Sequence, residues 1–395
     1  MKIMILSSEF DPFRGGIGTY AREMALAATE LGHRVTVVAA DYGAEEAATS
    51  FPFRVLRYPG GQHHMRDVPA KIALVRRLAR QEPAYDIVHA IDWPFYIPLA
   101  LCAYRSATRC ILTFHGTEVD FIQKPIRAVP LSLLRFWNGW AHYVANSHHT
   151  ARRLRVAVGL EECAVRVVHP GVGREWLAAR VEKACARQRL GICQHQFVIA
   201  TLGRVVPRKG HDVLAEALQR LPAEIVRRVE WHIIGPLLDQ AYEAQLRRIT
   251  ESLGGKVVIH GPLAQGEVSL RLSAADVFCL PGRQLEGGGV EGFGLVYLEA
   301  AALGLPSVAA DMGGISEAID HGESGLLVPE NDPQALAQAL ASLIADPVER
   351  NRLSRGARHR AEASTWLRAA REIYGSQDNH PGQGASSIVP TEMSC

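Results

Sequence analysis

The sequence predicts an α/β protein of two doubly wound parallel sheets facing each other across a cleft. Three observations predict it. Strand-like apolar runs alternate with helical patterns along most of the chain, the alternation pauses once in the polar, Arg-rich stretch from Gly173 to Arg189, and 395 residues exceed one typical domain. Repeated strand and helix place the strands in parallel, and such sheets bind ligands at the carboxyl ends of their strands.

The first half, residues 1–172, reads as KIMILS, a helix over Ile17 to Leu31, RVTVVAA, a loop, a helix over Lys71 to Arg80, YDIVHA and RCILTFH. A helix over Leu131 to Trp140 follows, then AHYVANS, a helix over His148 to Val158, and VRVVHPG. Residues 173–194 read as the interdomain connection. The second half, residues 195–362, repeats the scheme with FVIATLGRV, VEWHIIG, KVVIHGP, DVFCLPG, PSVAAD and GLLVP as strands. Its helices fall over Val213 to Leu221, Tyr242 to Leu253, Glu267 to Ala274, Leu295 to Ala302, Ile315 to Ile319 and Pro333 to Ala345. The last of these is opened by Asn331, Asp332 and Pro333, a cap with proline in the first turn. Residues 376–395 have the composition of a disordered tail.

Composition narrows the class. Hydrophobic residues make up 48% and charged ones 21%, and the mean hydropathy is zero. The seven cysteines include no C-x-x-C pair, so reduced thiols in the cytoplasm are expected. MKIMILSSEF has one Lys and a short apolar run, which reads as a first strand. Net charge is +2, yet residues 1–180 hold 22 Lys+Arg against 16 Asp+Glu. Basic clusters at Lys71, Arg76, Arg77 and Arg80 and at Arg152, Arg153 and Arg155 are solvated helix faces or a patch drawn to the anionic inner face of a membrane. Neither has the interleaved aromatics of a nucleic-acid surface, so no nucleic-acid partner is expected.

The chemistry concentrates in EGFGLVYLE, Glu291 to Glu299. Gly292 and Gly294 predict a turn that brings bare amides close to a ligand, and Leu295 then opens a helix whose free N–H groups suit an anion. A carboxylate in the turn suits hydroxyls, and one two turns deeper suits a second polyol. Hexose, diphosphate and ribose follow in that order along a nucleotide sugar. Arg204 and Lys209, in GRVVPRKG after a strand, suit the diphosphate or are a solvated loop. Arg14-Gly15-Gly16-Ile17-Gly18 after the first strand is a tight turn or an anion-approach loop. His115 ends a strand at the cleft rim, with Glu118 and Asp120 solvated nearby or touching an acceptor. Asn146, Ser147 and His148 read as a helix cap first and a ligand contact second. His63 and His64 form no metal site by themselves, and without D-x-D or H-E-x-x-H no required metal is indicated.

Taken together, GGIGTY, the HGT at His115, ANSHHTA, HPGV at His169, LGRVVPRKG, ADVFCLP, EGFGLVYLEA and GGISEAIDHGESGLLV resemble glycosyltransferase family 4 over about residues 1–375. The resemblance implies the GT-B fold, two facing Rossmann-like domains with an interdomain cleft, and a retaining, metal-independent transfer from a nucleotide sugar with no cofactor. It implies that Arg204 and Lys209 neutralise the donor diphosphate and that Glu291 lies near the sugar hydroxyls. Backbone from Gly292, Phe293, Gly294 and Leu295 would complete that pocket, and Glu299 would bind the ribose. His115 would approach the C6 hydroxyl, Gly15 and Gly16 the diphosphate and the acceptor, and Gly261 and Leu263 the base. Arg14, Glu118 and Asp120 are the acceptor-side candidates. The helix near residues 363–375 resembles one that returns to the first domain. Two positions depart from the pattern: Gly282 stands for the usual Ser after LP, and Gly173 for the usual Asp or Asn after HPGV.

The expected function is therefore a retaining hexosyltransferase, with mannose from GDP-mannose first and a UDP-sugar second. The acceptor is expected to be a cell-surface glycan, lipopolysaccharide or glycolipid, reached from the cytoplasm with or without peripheral membrane contact. A GT-B sugar-nucleotide epimerase or hydrolase and a non-catalytic scaffold are the rivals.

Overall fold

The first-domain strands β1 (Lys2–Leu6), β2 (Arg34–Ala40), β3 (Arg54–Tyr58), β4 (Ile87–Ala90), β5 (Arg109–Phe114), β6 (His142–Ala145) and β7 (Val165–Val167) form one sheet. Its order is β3-β2-β1-β4-β5-β6-β7, and every pairing is parallel. The second sheet, β8 (Phe197–Leu202), β9 (Val229–Ile234), β10 (Lys256–Gly261), β11 (Val277–Leu280), β12 (Ser307–Ala310) and β13 (Gly325–Val328), runs β10-β9-β8-β11-β12-β13, again all parallel. These come from a computed structural model that describes residues 1–13, 15–43, 50–59, 65–81, 85–102, 108–123, 136–285 and 289–375.

Period-two burial explains both sheets. In β1, Met4 and Leu6 enter one apolar cluster and Ile3 and Ile5 the other, so the strand is covered on both faces. In β8, Val198 and Ala200 face one side and Phe197 and Ile199 the other. The helix Gly16–Glu30 lays Tyr20, Ala21, Met24, Ala25 and Ala28 on the Ile3–Ile5 face.

The chain passes between domains twice, and the crossings touch. Val172 N–H donates to the Ser364 carbonyl at 2.9 Å, and Val172 bridges Thr365 in parallel. Between them, Val172, Trp176, Ala186 and Ile192 pack into the second-domain core. Beyond the helix Pro347–Ala363, the helix Trp366–Tyr374 returns to the first domain and buries Ala369, Ala370, Ile373 and Tyr374 beside Ile3 and Ile5. Tyr374 Oη lies 2.8 Å from Nδ1 of the fully buried His89, whose Nε2 is 2.6 Å from Thr113 Oγ1. Burial drives this imidazole down to about 3, so it is neutral, with one nitrogen donating and the other accepting.

Three expectations fare differently. The loop foreseen after RVTVVAA contains β3, a short edge strand. Of the helix foreseen over Leu131 to Trp140, the described part, Phe136 to Trp140, is turn, with Trp140 Nε1 donating to the Phe136 carbonyl at 2.6 Å. The tail 376–395, the pair His63 and His64, and Arg14 lie outside the described residues. Among the described residues no helix is long and apolar enough to cross a membrane.

Candidate active site

Strand order reverses between β1 and β4 in the first sheet and between β8 and β11 in the second, and the candidate residues follow the carboxyl ends of these and neighbouring strands. After β8 the chain makes the 3-10 turn Pro207–Lys209 and enters the helix His211–Gln219. That tight turn sends two adjacent cations to one carboxylate. Lys209 Nζ donates to Glu291 Oε2 at 2.6 Å and Arg208 Nη1 to the same oxygen at 3.4 Å. Arg204 is exposed and has no hydrogen-bond partner among the described residues, yet its charge acts on Glu291, Lys209 and Glu9.

Three cations thus face one carboxylate. Burial alone would raise the Glu291 carboxyl, but Lys209, Arg208 and Arg204 hold it below the usual range. Lys209 is lowered by burial first, with Glu291 opposing and Arg208 and Arg204 reinforcing. The lowered Glu291 carboxyl is what a pocket with surplus positive charge produces. A diphosphate would relieve that surplus.

Around Glu291 the backbone is fixed from two sides. Gly314 N–H donates to the Glu291 carbonyl at 2.9 Å. Gly294, at φ 89°, starts the helix Leu295–Ala302 with no side-chain cap, which leaves its first N–H groups for a ligand. Gly292 is where the domains meet: a Cβ there would sit 1.8 Å from the His115 carbonyl oxygen. Phe293 is 2% exposed and packs against His169, so its side chain is structural and only its backbone is left for a ligand.

His115 follows β5, and its Nε2 lies 3.1 Å from the Ile91 carbonyl. That oxygen can only accept, so Nε2 carries the proton and Nδ1 offers a lone pair. Burial lowers the ring to about 4 against the opposing Ile91 bond, so it is neutral. Glu118, expected to be solvated or to touch an acceptor, is fully buried instead. Its Oε2 accepts the His115 N–H at 2.9 Å, and burial pushes it up to about 7. Asp120 is also engaged, by Arg153 and by Gly289 N–H at 3.2 Å from the loop before Glu291.

Gly15 caps the helix Gly16–Glu30 without a side-chain bond, and a Cβ there would lie 2.4 Å from Glu9 Oε2. Glu9 accepts from the Gly18 backbone, so this helix start already carries a carboxylate of its own chain, and Gly16 beside it is open. Gly261 ends β10, its carbonyl accepting from Gly235 N–H at 2.9 Å. Leu263 packs on the apolar cluster that contains Val290 and Phe293.

Glu299, about one and a half turns beyond Gly294, shares a small cavity with Thr19, Arg22, Glu23, Trp176 and Leu295. Burial, then the nearby Glu175 and Glu23, push it up to about 7. Glu23 also accounts for the glycine at 173, since a Cβ there would lie 3.3 Å from Glu23 Oε2 and an acidic residue would meet a like charge. A cavity of about 690 Å³ lined by Arg109, Trp137, Arg166 and Arg371 lies at the amino ends of β5 to β7, the far end of β5 from His115. The structure therefore brings Arg204, Lys209, Glu291, His115 and Gly292 together, with Glu299 on the helix that follows the Glu291 loop. Sequence reasoning missed Arg208 and Glu9. The signal for Arg208 was its place beside Lys209 in a Pro-started turn.

Comparison with known proteins follows the same lines. Residues 14–176 match the family described as Glycosyltransferase Family 4, and residues 183–360 match Glycosyl transferases group 1. A GDP-mannose-dependent alpha-(1-6)-phosphatidylinositol monomannoside mannosyltransferase of Mycobacterium tuberculosis is 32% identical over 362 residues, 87% of this chain and 89% of that one. The chain belongs to glycosyltransferase family 4. This family-4 glycosyltransferase is also 29% identical to a GDP-mannose-dependent monoacylated alpha-(1-6)-phosphatidylinositol monomannoside mannosyltransferase of Corynebacterium glutamicum, over 92% of this chain and 94% of the relative. Its fold is GT-B, shared with Anabaena HepE in complex with UDP and glucose at a TM-score of 0.75 and 22% identity, covering 94% of this chain and 98% of that one. WaaG, a glycosyltransferase involved in lipopolysaccharide biosynthesis, gives 0.69 at 19% identity, covering 95% and 100%.

Proposed function

We propose that this glycosyltransferase moves mannose from GDP-mannose to a hydroxyl of a glycolipid acceptor of the phosphatidylinositol mannoside class, with retention at the anomeric carbon and without a catalytic metal. The observation that carries the donor reading is the surplus of positive charge around Glu291. Arg204, Arg208 and Lys209 supply, from side chains, the countercharge that the departing diphosphate needs as the glycosidic bond breaks. The full-length relatives in Mycobacterium tuberculosis and Corynebacterium glutamicum support mannose, guanosine and the acceptor class.

In this reading Glu291 Oε1, which accepts no bond from the described residues, takes a sugar hydroxyl. Nδ1 of the neutral His115 takes the C6 hydroxyl, and amides from Gly292 to Leu295 hold phosphate oxygens. Glu299 takes the ribose and the Gly261–Leu263 segment the base. Retention is what membership of family 4 implies. A double displacement needs a free carboxylate on the face opposite the leaving group. Glu118 is buried and Asp120 is tied to Arg153 and Gly289, so neither serves. Attack then comes from the face that the diphosphate leaves, and a donor phosphate oxygen takes the acceptor proton. The protein contributes electrostatics, orientation and closure. Working at the cytoplasmic face of a membrane suits such an acceptor.

The test is transfer into vesicles containing phosphatidylinositol monomannoside, with GDP-mannose, UDP-glucose and ADP-glucose as donors, in buffer with and without EDTA. The expected product carries one added α-mannose, only GDP-mannose supports it, and EDTA leaves the rate unchanged. A faster reaction with a UDP-sugar, or a β-linked product, would overturn the reading.

A further inference from the structure

Glu317 lies on the short helix Ile315–Ala318 of the second domain, but its bonds go to the first. Oε2 accepts from His148 N at 2.7 Å, and Nε2 of His169 lies 2.7 Å from the same oxygen. Oε1 accepts from His149 N at 2.9 Å. The His148 and His169 rings are 5.6 Å apart, and one ligand atom from each of His148, His169 and Glu317 lies within 4.8 Å of the others. The His169 and Glu317 side chains are 27% and 17% exposed, while His148 is exposed, so the group is walled on one side and open on the other.

We propose that His148, His169 and Glu317 bind a zinc-class transition-metal ion that staples the two domains together, at a site separate from the donor pocket. Two imidazoles and a carboxylate suit zinc, whereas magnesium and calcium call for oxygen shells. Ligand atoms on a tetrahedral zinc stand roughly 3.4 Å apart, given metal–ligand bonds of about 2.1 Å. His169 and Glu317 are already within that separation. His148, exposed, has at most about 1.4 Å to close by side-chain rotation. Water fills the fourth position on the open side. The amides of His148 and His149 orient the carboxylate from behind, as outer-shell partners do in protein metal sites. Without metal, Nε2 of His169 carries the proton that it donates to Glu317. On binding, that proton leaves Nε2 to water, Nδ1 takes one from water so that the ring stays neutral, and the freed Nε2 lone pair goes to the ion in place of the Glu317 hydrogen bond.

The site reaches the reaction through packing. His169 contacts the ring of Phe293, whose neighbour Gly292 touches His115 across the seam. A metal joining His148 and His169 to Glu317 holds that seam shut, and a GT-B enzyme must reopen to release product. Occupancy therefore slows turnover.

The test uses the untagged, chelator-treated full chain, titrated with zinc sulfate against a chromophoric chelator, with cobalt(II) absorption as a geometry readout. Wild type is expected to bind one zinc at this site, with a tetrahedral cobalt spectrum and a raised melting midpoint. H148A and H169A are expected to weaken that binding about tenfold or more. H148A alters an exposed side chain outside the donor cluster, so it keeps its transfer rate when zinc is added, while wild type slows. Zinc affinity and stoichiometry unchanged in both H148A and H169A would overturn the site. Binding that leaves wild-type transfer unslowed would overturn the staple.

Discussion

Gly292→Ala tests whether the seam between the domains is shut during the reaction. A Cβ at this position would stand 1.8 Å from the His115 carbonyl oxygen, 2.8 Å from its carbon and 3.1 Å from Asn146 Nδ2. Ordinary contact begins at 3.4 Å, so His115 and the Glu291 loop must part by about 1.6 Å. The obstacle is backbone, which no rotamer change removes. Misplacing a reacting group by about 1 Å costs on the order of 100-fold in rate, close to 3 kcal/mol of barrier. Neither domain core is touched, so the melting midpoint should stay within about 4 °C of wild type. Single-turnover transfer and calorimetric donor titration separate the effects: the rate should fall about 100-fold while donor affinity changes by no more than about threefold. A rate near wild type would mean that His115 and Gly292 are apart when the sugar moves, and the site built on their contact would be wrong.

Lys209→Met should lower transfer by about 100-fold or more, as loss of a charge stabiliser does, and adding Glu291→Gln should recover stability while leaving transfer low. Thermal melts of the two variants check this, and a double variant less stable than Lys209→Met would contradict it. Glu299 gives a pH signature. Its folded value of about 7 lies above the 4.5 of a free side chain, so the folded state binds the extra proton and stability falls as pH rises through that window. Glu299→Gln should flatten the decline by up to about 3 kcal/mol, read as chemical-denaturation midpoints between those values; an unchanged slope would count against it. Tyr374→Phe leaves a buried nitrogen of His89 without its partner and should cost about 1–3 kcal/mol, measured by denaturant unfolding of the full chain.

Much of the architecture was legible because burial on both sheet faces writes continuous apolar runs into the strands, as in KIMIL and FVIATL. β3 escaped because RVLRY lies at a sheet edge with only Tyr58 buried, and two arginines hide its periodicity. The Glu291 loop was legible through its glycines and carboxylates. Arg208 was not, since an adjacent pair of cations both reach Glu291 only when the turn is 3-10. The burial of Glu118 was hidden too: nothing in TEVD says that its carboxylate will turn back to bond the His115 amide. Glu317 pairs with residues 148 to 169 positions away, a relation that only the docking of two sheets creates.

The paired crossings at Val172 and Ser364 have a mechanical consequence. A single connecting strand would let one sheet swivel and slide over the other. Two strands lashed by an N–H···O bond resist torsion and shear, and a Cβ at Gly171 would stand only 2.2 Å from Trp366 N, so they cannot roll past each other either. Bending about the line of the lashing is the soft motion left. The two halves open and shut like the covers of a sewn book, and every closure returns the same glycine to the same carbonyl.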